Sequence, residues 1–218
     1  GAISSQRTRI FQIYWVRMMD YMRLGAEHAT ELDAICAMER RLYGAHALAS
    51  IDFFAQLVDP CLGSSGIVVC GKDGERVVSY NVATKGDSGD VCFIADLVEP
   101  DMRGHGIGLA TKRRLVSACL DDGFAHATAT IAPENVANVA LYCNKLGMQA
   151  VGYARDKYGA GEHRLYFRGA LDNQPPVAAV RPGDFTVPMD AGYDYRTIDF
   201  ARYAGVAVIN NELLCRPR

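Results

Sequence analysis

The sequence predicts an α/β fold of the α+β kind: a mixed, mostly antiparallel sheet flanked by helices, with extensions at both ends. Segments of strand-like and helix-like apolar periodicity follow one another in the order β-α-α-β-β-β-α-β-α-β-β. The three consecutive strands in the middle are separated only by short turn signals, which suits an antiparallel meander. A chain of 218 residues with 50% apolar content fits one core domain with appendages better than two full domains.

The elements follow in order. Residues 1–19 form an N-terminal extension in which Ile10 to Val16 is rich in aromatic and β-branched residues and suits an extended strand. Tyr21 to Leu24 alternates apolar and polar residues, and Ala29 to Tyr43 repeats Leu32, Ile35, Cys36 and Leu42 near helical spacing. Ser50 is a good N-cap for a second helix, which Asp59-Pro60 stops. Strands are expected at Gly66 to Cys70, Arg76 to Val82 and Val91 to Val98, divided by turns at Lys72 to Gly74 and Gly86 to Gly89. Gly106 to Leu120 reads as a helix that buries Ile107, Ala110, Leu115, Ala118 and Cys119 and stops before Gly123. Ala127 to Ile131 is a strand. Asn135 then opens a helix whose Val136, Val139, Ala140, Cys143 and Leu146 share one face, closed by Gly147. Strands at Gln149 to Ala154 and His163 to Arg168 complete the domain, residues 20–171. From residue 172 a Pro-rich linker leads into an apolar C-terminal extension, whose stretch from Phe200 to Ile209 reads equally as helix or strand.

Composition narrows the function. Lys and Arg number 23 against 25 Asp and Glu, a net charge of −2, so the basic excess needed for sequence-independent nucleic-acid binding is missing. No apolar run approaches the length of a membrane span, and Arg7, Arg9 and Arg17 interrupt the N-terminal segment. A cytoplasmic protein without a membrane partner is expected. The seven cysteines are scattered without a C-x-x-C pair, which suits reduced thiols. The histidines show no metal-ligand spacing, so no metal is expected.

The most informative segment runs from Val98 to Gly108, between an expected strand and an expected helix. Gly104, Gly106 and Gly108 allow a tight turn with exposed N–H groups, and the helix behind them adds the positive end of its dipole. Arg103 contributes a guanidinium fork suited to phosphate oxygens. The dinucleotide pattern G-x-G-x-x-G fails because Leu109 holds its last place, and the P-loop fails because no Gly-Lys-Ser/Thr follows. What remains is a diphosphate cradle, or else a glycine-rich turn that binds nothing.

Arg103-Gly-His-Gly-Ile-Gly108, placed after Val98 and Pro100, resembles the acyl-CoA-binding signature of the GNAT superfamily of N-acetyltransferases. A second block, Asn135 to Met148, resembles the family's Asn-x-x-Ala/Ser-x-x-Leu-Tyr-x-x-x-Gly-Phe helix, with Leu141-Tyr142 at its spacing from Asn135 and Gly147-Met148 one residue later than in the pattern. The likeness covers about residues 20–170. It implies acetyl transfer from acetyl-CoA to a primary amine of a small molecule, an amino acid or a peptide N-terminus, by direct attack in a ternary complex.

The resemblance also implies roles for residues. The diphosphate would rest on the loop of Arg103, Gly104, His105, Gly106, Ile107, Gly108 and Leu109, His105 serving through its backbone. The pantetheine arm would pair with backbone groups of Leu97, Val98 and Glu99, where one N–H would face the thioester carbonyl. Asn135 and Asn138 would touch the arm, and Asn135 would also cap its helix. Tyr142 stands where many relatives place a general acid, since a phenol with a pKa near 10 can protonate a thiolate while staying neutral at pH 7. It could instead fill the core beside Leu141.

Relatives that acetylate ribosomal-protein N-termini carry a glutamate base on the fifth strand. Counting back from Tyr142 puts Thr130 there, which accepts no proton usefully. Asp96 is the next candidate, as base or amine-binding group, because a carboxylate in a central strand is costly unless paired or functional. Glu99 is expected in solvent at the strand end, and Glu39 to Arg41 on a solvated helix face. The loops holding Tyr43, Arg155, Tyr158 and Glu162 would border the acceptor.

A reading from a different class is a non-catalytic acyl-CoA-binding module whose tail mediates a protein contact. The tail's Tyr193, Tyr195, Phe200, Tyr203, Val206, Val208 and Ile209 would form a large apolar patch if left free. Residues 193–215 should therefore dock, either on the same domain or on a second subunit of a homodimer, with Ile10 to Val16 as a natural partner.

Overall fold

The structure is a computed structural model and describes residues 18–44, 51–59, 66–86, 89–172, 180–190 and 193–218. The expected strand at Ile10 to Val16, the Ser50 cap, Cys61 and Pro175-Pro176 lie outside the described residues. The chain divides into two compact units, residues 1–89 with 93–123 and residues 90–92 with 124–218.

In the first unit, β1 (Asp20–Leu24), β2 (Gly66–Asp73) and β3 (Arg76–Lys85) run antiparallel in that order, and β4 (Val91–Val98) lies beside β3. Three helices cover them: α1 (Ala29–Tyr43), α2 (Ile51–Val58) and α3 (Ile107–Asp121). Strand alternation sends Val68, Cys70, Tyr80 and Val82 into one core with Leu32, Ile35 and Cys36 of α1, Phe54 and Leu57 of α2, and Leu97 of β4. A second cluster joins Ile107 of α3 to Val78, Met102 and Met19.

The expected buried stripe on α3 needs correcting. Ile107, Leu115, Ala118 and Cys119 are buried, but so are Thr111 and Lys112, while Ala110 is only half-buried. The underside of α3 is therefore partly polar. Apolar periodicity passes over such residues, because they are tolerated inside only with partners. Thr111 has two: its hydroxyl lies 2.6 Å from the Ser79 hydroxyl and donates to the Ile107 carbonyl at 2.9 Å.

The second unit holds β5 (His126–Ile131), α4 (Val136–Ala140), β6 (Gln149–Ala154), β7 (Arg164–Ala170), β8 (Phe185–Pro188), β9 (Tyr203–Ile209) and β10 (Glu212–Pro217). Its strand order is β5-β7-β6-β9-β10-β8, with antiparallel pairing at each step. The C-terminal extension thus forms strands and docks on its own chain, against β6, where Ala150 pairs with Gly205. Gly205 allows the approach: a Cβ there would lie 2.8 Å from Leu213 and 3.0 Å from Ala150. Asn144 clamps the tail with both ends of its amide, donating to the Val208 carbonyl at 3.0 Å and accepting from the Val208 N–H at 2.9 Å. Tyr195, fully buried, donates to the Pro188 carbonyl at 2.8 Å and stacks 5.5 Å from Tyr153. Arg216 grips Asp184 with two bonds of 3.1 and 2.8 Å.

The helix expected from Asn135 to Leu146 also differs. Only Val136–Ala140 is α-helical, and Leu141–Lys145 winds wider, as a π turn. That turn carries the adjacent side chains of Tyr142 and Cys143 inward together and closes with the Met148 N–H donating to the Tyr142 carbonyl at 3.0 Å.

Candidate cofactor site

The loop after β4 is built by backbone chemistry. Gly104 and Gly106 adopt φ of +79° and +82°, a left-handed conformation that costs residues with a Cβ about 1–2 kcal/mol. Gly106 is the N-cap of α3. As glycine it offers no side chain to the first-turn N–H groups, and no acidic residue in that turn offsets the dipole. A helix start of this kind is a ready acceptor for an anion. Gly108 packs close: a Cβ there would meet Val98 Cγ2 at 3.1 Å. Arg103 is exposed at the mouth of the loop, with its Nε donating to the Val98 carbonyl at 3.0 Å. His105 is half-buried, its Nδ1 lying 3.4 Å from the Met102 carbonyl. These residues fit a diphosphate.

At the end of β4 the expectations for Glu99 fail. Its side chain is buried and paired with Arg41, and its N–H, expected among the donors to the cofactor arm, donates to the Val78 carbonyl at 2.9 Å. A charge at a strand end can be drawn inside when a neighbouring helix supplies its counter-ion, and α1 does so here. Glu39, expected in solvent, is also buried. Leu97 turns its side chain into the core, so only its backbone is left to serve a ligand.

Asp96 stands one residue before Leu97. Its Oδ2 lies 3.3 Å from the Nζ of Lys112, whose side chain is 0% exposed, while that of Asp96 is 25% exposed. Lys112 Nζ also sits 4.7 Å from the centre of the Phe93 ring. Burial pushes the Lys112 ammonium below the ordinary lysine range, and Asp96 pulls it back up. Sequence reading missed Lys112 because its neighbours, Arg113 and Arg114, make it look like one more solvated cation. Its place in register with Leu115 and Cys119 was the available signal.

In the second unit, Asn135 caps α4 as expected, its Oδ1 accepting from the Asn138 N–H at 3.2 Å. Tyr142 is 2% exposed, its ring edge-on to Phe167 at 5.8 Å. The Thr130 hydroxyl lies 3.2 Å from the hydroxyl of Tyr158. Tyr158 is 63% exposed, with Arg164 and Lys157 over its ring at 5.1 and 5.3 Å.

The sequence profile of the acetyltransferase (GNAT) family matches residues 32–148, more than half of the chain. The chain belongs to the GNAT acetyltransferase family. The match spans most of α1, the β4 loop, α3 and the Asn135 to Met148 block, so both signature segments lie within it. GNAT proteins are acyltransferases that typically draw on acetyl-CoA.

Solved GNAT structures share the fold at low identity. The ribosomal-protein-S18-alanine N-acetyltransferase of Escherichia coli is 19% identical, with a TM-score of 0.58 over 72% of this chain and 96% of its own. The aminoglycoside 6'-N-acetyltransferase of Enterococcus faecium is 14% identical, with a TM-score of 0.58 over 72% and 99%. Ard1 of Thermoplasma volcanium is 12% identical, with a TM-score of 0.57 over 70% and 97%. No curated protein sequence matches the chain. Among the described residues no helix is long and apolar enough to cross a membrane, and no three metal-ligating side chains are grouped.

Proposed function

We propose that this GNAT acetyltransferase transfers the acetyl group of acetyl-CoA to a primary amine of a small molecule, an amino acid or a peptide N-terminus. The observation that carries the reading is the uncapped, glycine-built start of α3 behind the end of β4. The amides from Gly104 to Leu109 would hold the diphosphate, with Arg103 adding charge at the mouth. The backbone of Leu97 and Val98 would serve the pantetheine arm, and the family likeness assigns Asn135 and Asn138 to it as well. When bound, acetyl-CoA supplies an activated acetyl thioester. Tyr142 would hold the proton required by the departing thiolate on its phenol oxygen. A phenol keeps its proton at pH 7, so it is available to the leaving thiolate.

Two measurements on one preparation test the proposal: calorimetric titration with CoA, and thiol release from acetyl-CoA over a panel of aminoglycosides, polyamines, amino acids and peptides. Binding accompanied by amine-dependent thiol release is expected. Absence of CoA binding would overturn the reading. Binding without release on any amine would leave an acyl-CoA-binding module.

A further inference from the structure

We propose that Lys112 is a positioning residue for the acyl-CoA grip and acts through Asp96, tying β4 to α3 so that the two halves of that grip keep one register. The inference rests on the acyl-CoA reading above.

The geometry lies within the first unit. Leu97 and Val98, whose backbone would serve the arm, directly follow Asp96, and the first-turn amides from Ile107 lead within two helical turns to Lys112. The Asp96–Lys112 pair at 3.3 Å is a direct polar link between the strand and the helix. Beside it, the 2.6 Å contact between Ser79 and Thr111 links the same turn of α3 to β3. Adjacent residues of α3 are thus tied to adjacent strands, just behind the loop that has to meet a diphosphate.

A lysine buried this deeply is among the rarest of interior residues, and an apolar side chain of similar volume would hold the helix at least as well. Charge here is therefore not explained by stability. What an ion pair adds, and leucine does not, is direction: an ammonium set between one carboxylate and one ring face permits little sliding of α3 along β4. The pairing also bears on Asp96 itself. Its Oδ2 already faces the Lys112 ammonium at 3.3 Å. Asp96 accordingly serves with Lys112 in holding the site rather than as the general base.

The test compares Lys112→Met, Asp96→Asn and the double variant with the unaltered protein, each confirmed as folded by circular dichroism. A positioning couple predicts that either single change weakens CoA binding about tenfold or more and raises KM for acetyl-CoA to match. It also predicts that kcat at saturation stays within about threefold and that the double variant is no worse than the single ones. Unchanged CoA affinity in the folded single variants would overturn the proposal and leave the pair a structural tie. A 100-fold fall in kcat for Asp96→Asn with unchanged CoA affinity would overturn it in favour of Asp96 as base.

If the single variants do not fold, the unaltered chain provides the measurement. Carbon-13 labelling of its lysines, Lys72, Lys85, Lys112, Lys145 and Lys157, gives few Cε signals, with that of Lys112 marked by slowly exchanging ammonium protons. That signal should move as CoA saturates the protein, and a Lys112 signal unmoved at saturation would refute the proposal. Failure of the unaltered chain to bind CoA at all would instead remove the acyl-CoA reading.

Discussion

Replacing Gly104 by alanine separates the loop's role in binding from its role in folding. Gly104 has φ of +79°, and a Cβ built on it meets nothing within 4 Å. Gly104→Ala thus clashes with no protein atom and costs only the left-handed backbone, about 1–2 kcal/mol. Gly74, in the turn between β2 and β3, has φ of +59° and equally empty surroundings. Gly74→Ala therefore applies the same strain away from the loop. Both variants should lose about 2–8 °C in Tm, at about 2–4 °C per kcal/mol for a chain of this size. They should part in CoA affinity. In Gly104→Ala the new methyl stands in space a phosphate would need, or the loop abandons its positive φ and turns its N–H away. Either outcome should weaken CoA tenfold or more, equivalent to about 1.4 kcal/mol, while Gly74→Ala binds as the unaltered protein does. Calorimetric titration with CoA, below both melting transitions, measures the difference. Equal affinities in the two variants would refute the loop as a diphosphate cradle.

Other changes test the second unit. Tyr142→Phe keeps the edge contact with Phe167, so CoA affinity should hold while kcat falls roughly 100-fold; an unchanged kcat would assign the phenol to packing. Asn144→Ala removes both bonds to Val208 and should cost about 1–3 kcal/mol in urea unfolding, most of it from β9 groups left unpaired. Arg216 holds the Asp184 carboxyl below the usual aspartate range. The pair's contribution is therefore complete above the unfolded pKa near 4 and lost as pH falls through the lower folded value. Melting temperatures taken from pH 5 downwards should fall more steeply in the unaltered chain than in Asp184→Asn. Truncation after Leu171 strips β9 from β6 and should lower Tm or change the mass in solution; a truncated chain unchanged in both would make the tail a passive appendage.

The sequence carried the core elements because most obey a simple period. Ala29–Tyr43 was readable to the residue from its apolar spacing, and β4 from an apolar run that only Asp96 interrupts before Glu99-Pro100 ends it. The glycine loop was legible for a different reason, since few backbones other than a left-handed turn need Gly104 and Gly106 so close together. The tail's secondary structure stayed open because Phe200 to Ile209 is almost uniformly apolar, and an all-apolar run has no period. The deciding signal lay just beyond it. Asn210 and Asn211, with φ of +51° and +63°, form the two-residue connection of a hairpin, and asparagine is among the residues that accept that conformation. Glu99, Glu39 and Lys112 were misread or passed over because charge in sequence marks solvent by default. The counter-ions of Glu99 and Lys112 come from other elements and are invisible until the chain folds.

The docking of β9 against β6 sets a schedule for synthesis. β7 can close on β6 as soon as their hairpin leaves the ribosome, but the other edge of β6 has no partner until Tyr203–Ile209 is made. During that interval the growing chain carries an open strand edge rich in small and aromatic residues, Ala150, Gly152 and Tyr153 among them. An early stop, a slow codon run or a protease cut before Tyr203 would leave that edge available to a second nascent chain. Production faults in this protein should therefore take the form of aggregates seeded at β6, and speeding translation of the segment between Ala154 and Ile209 should relieve them.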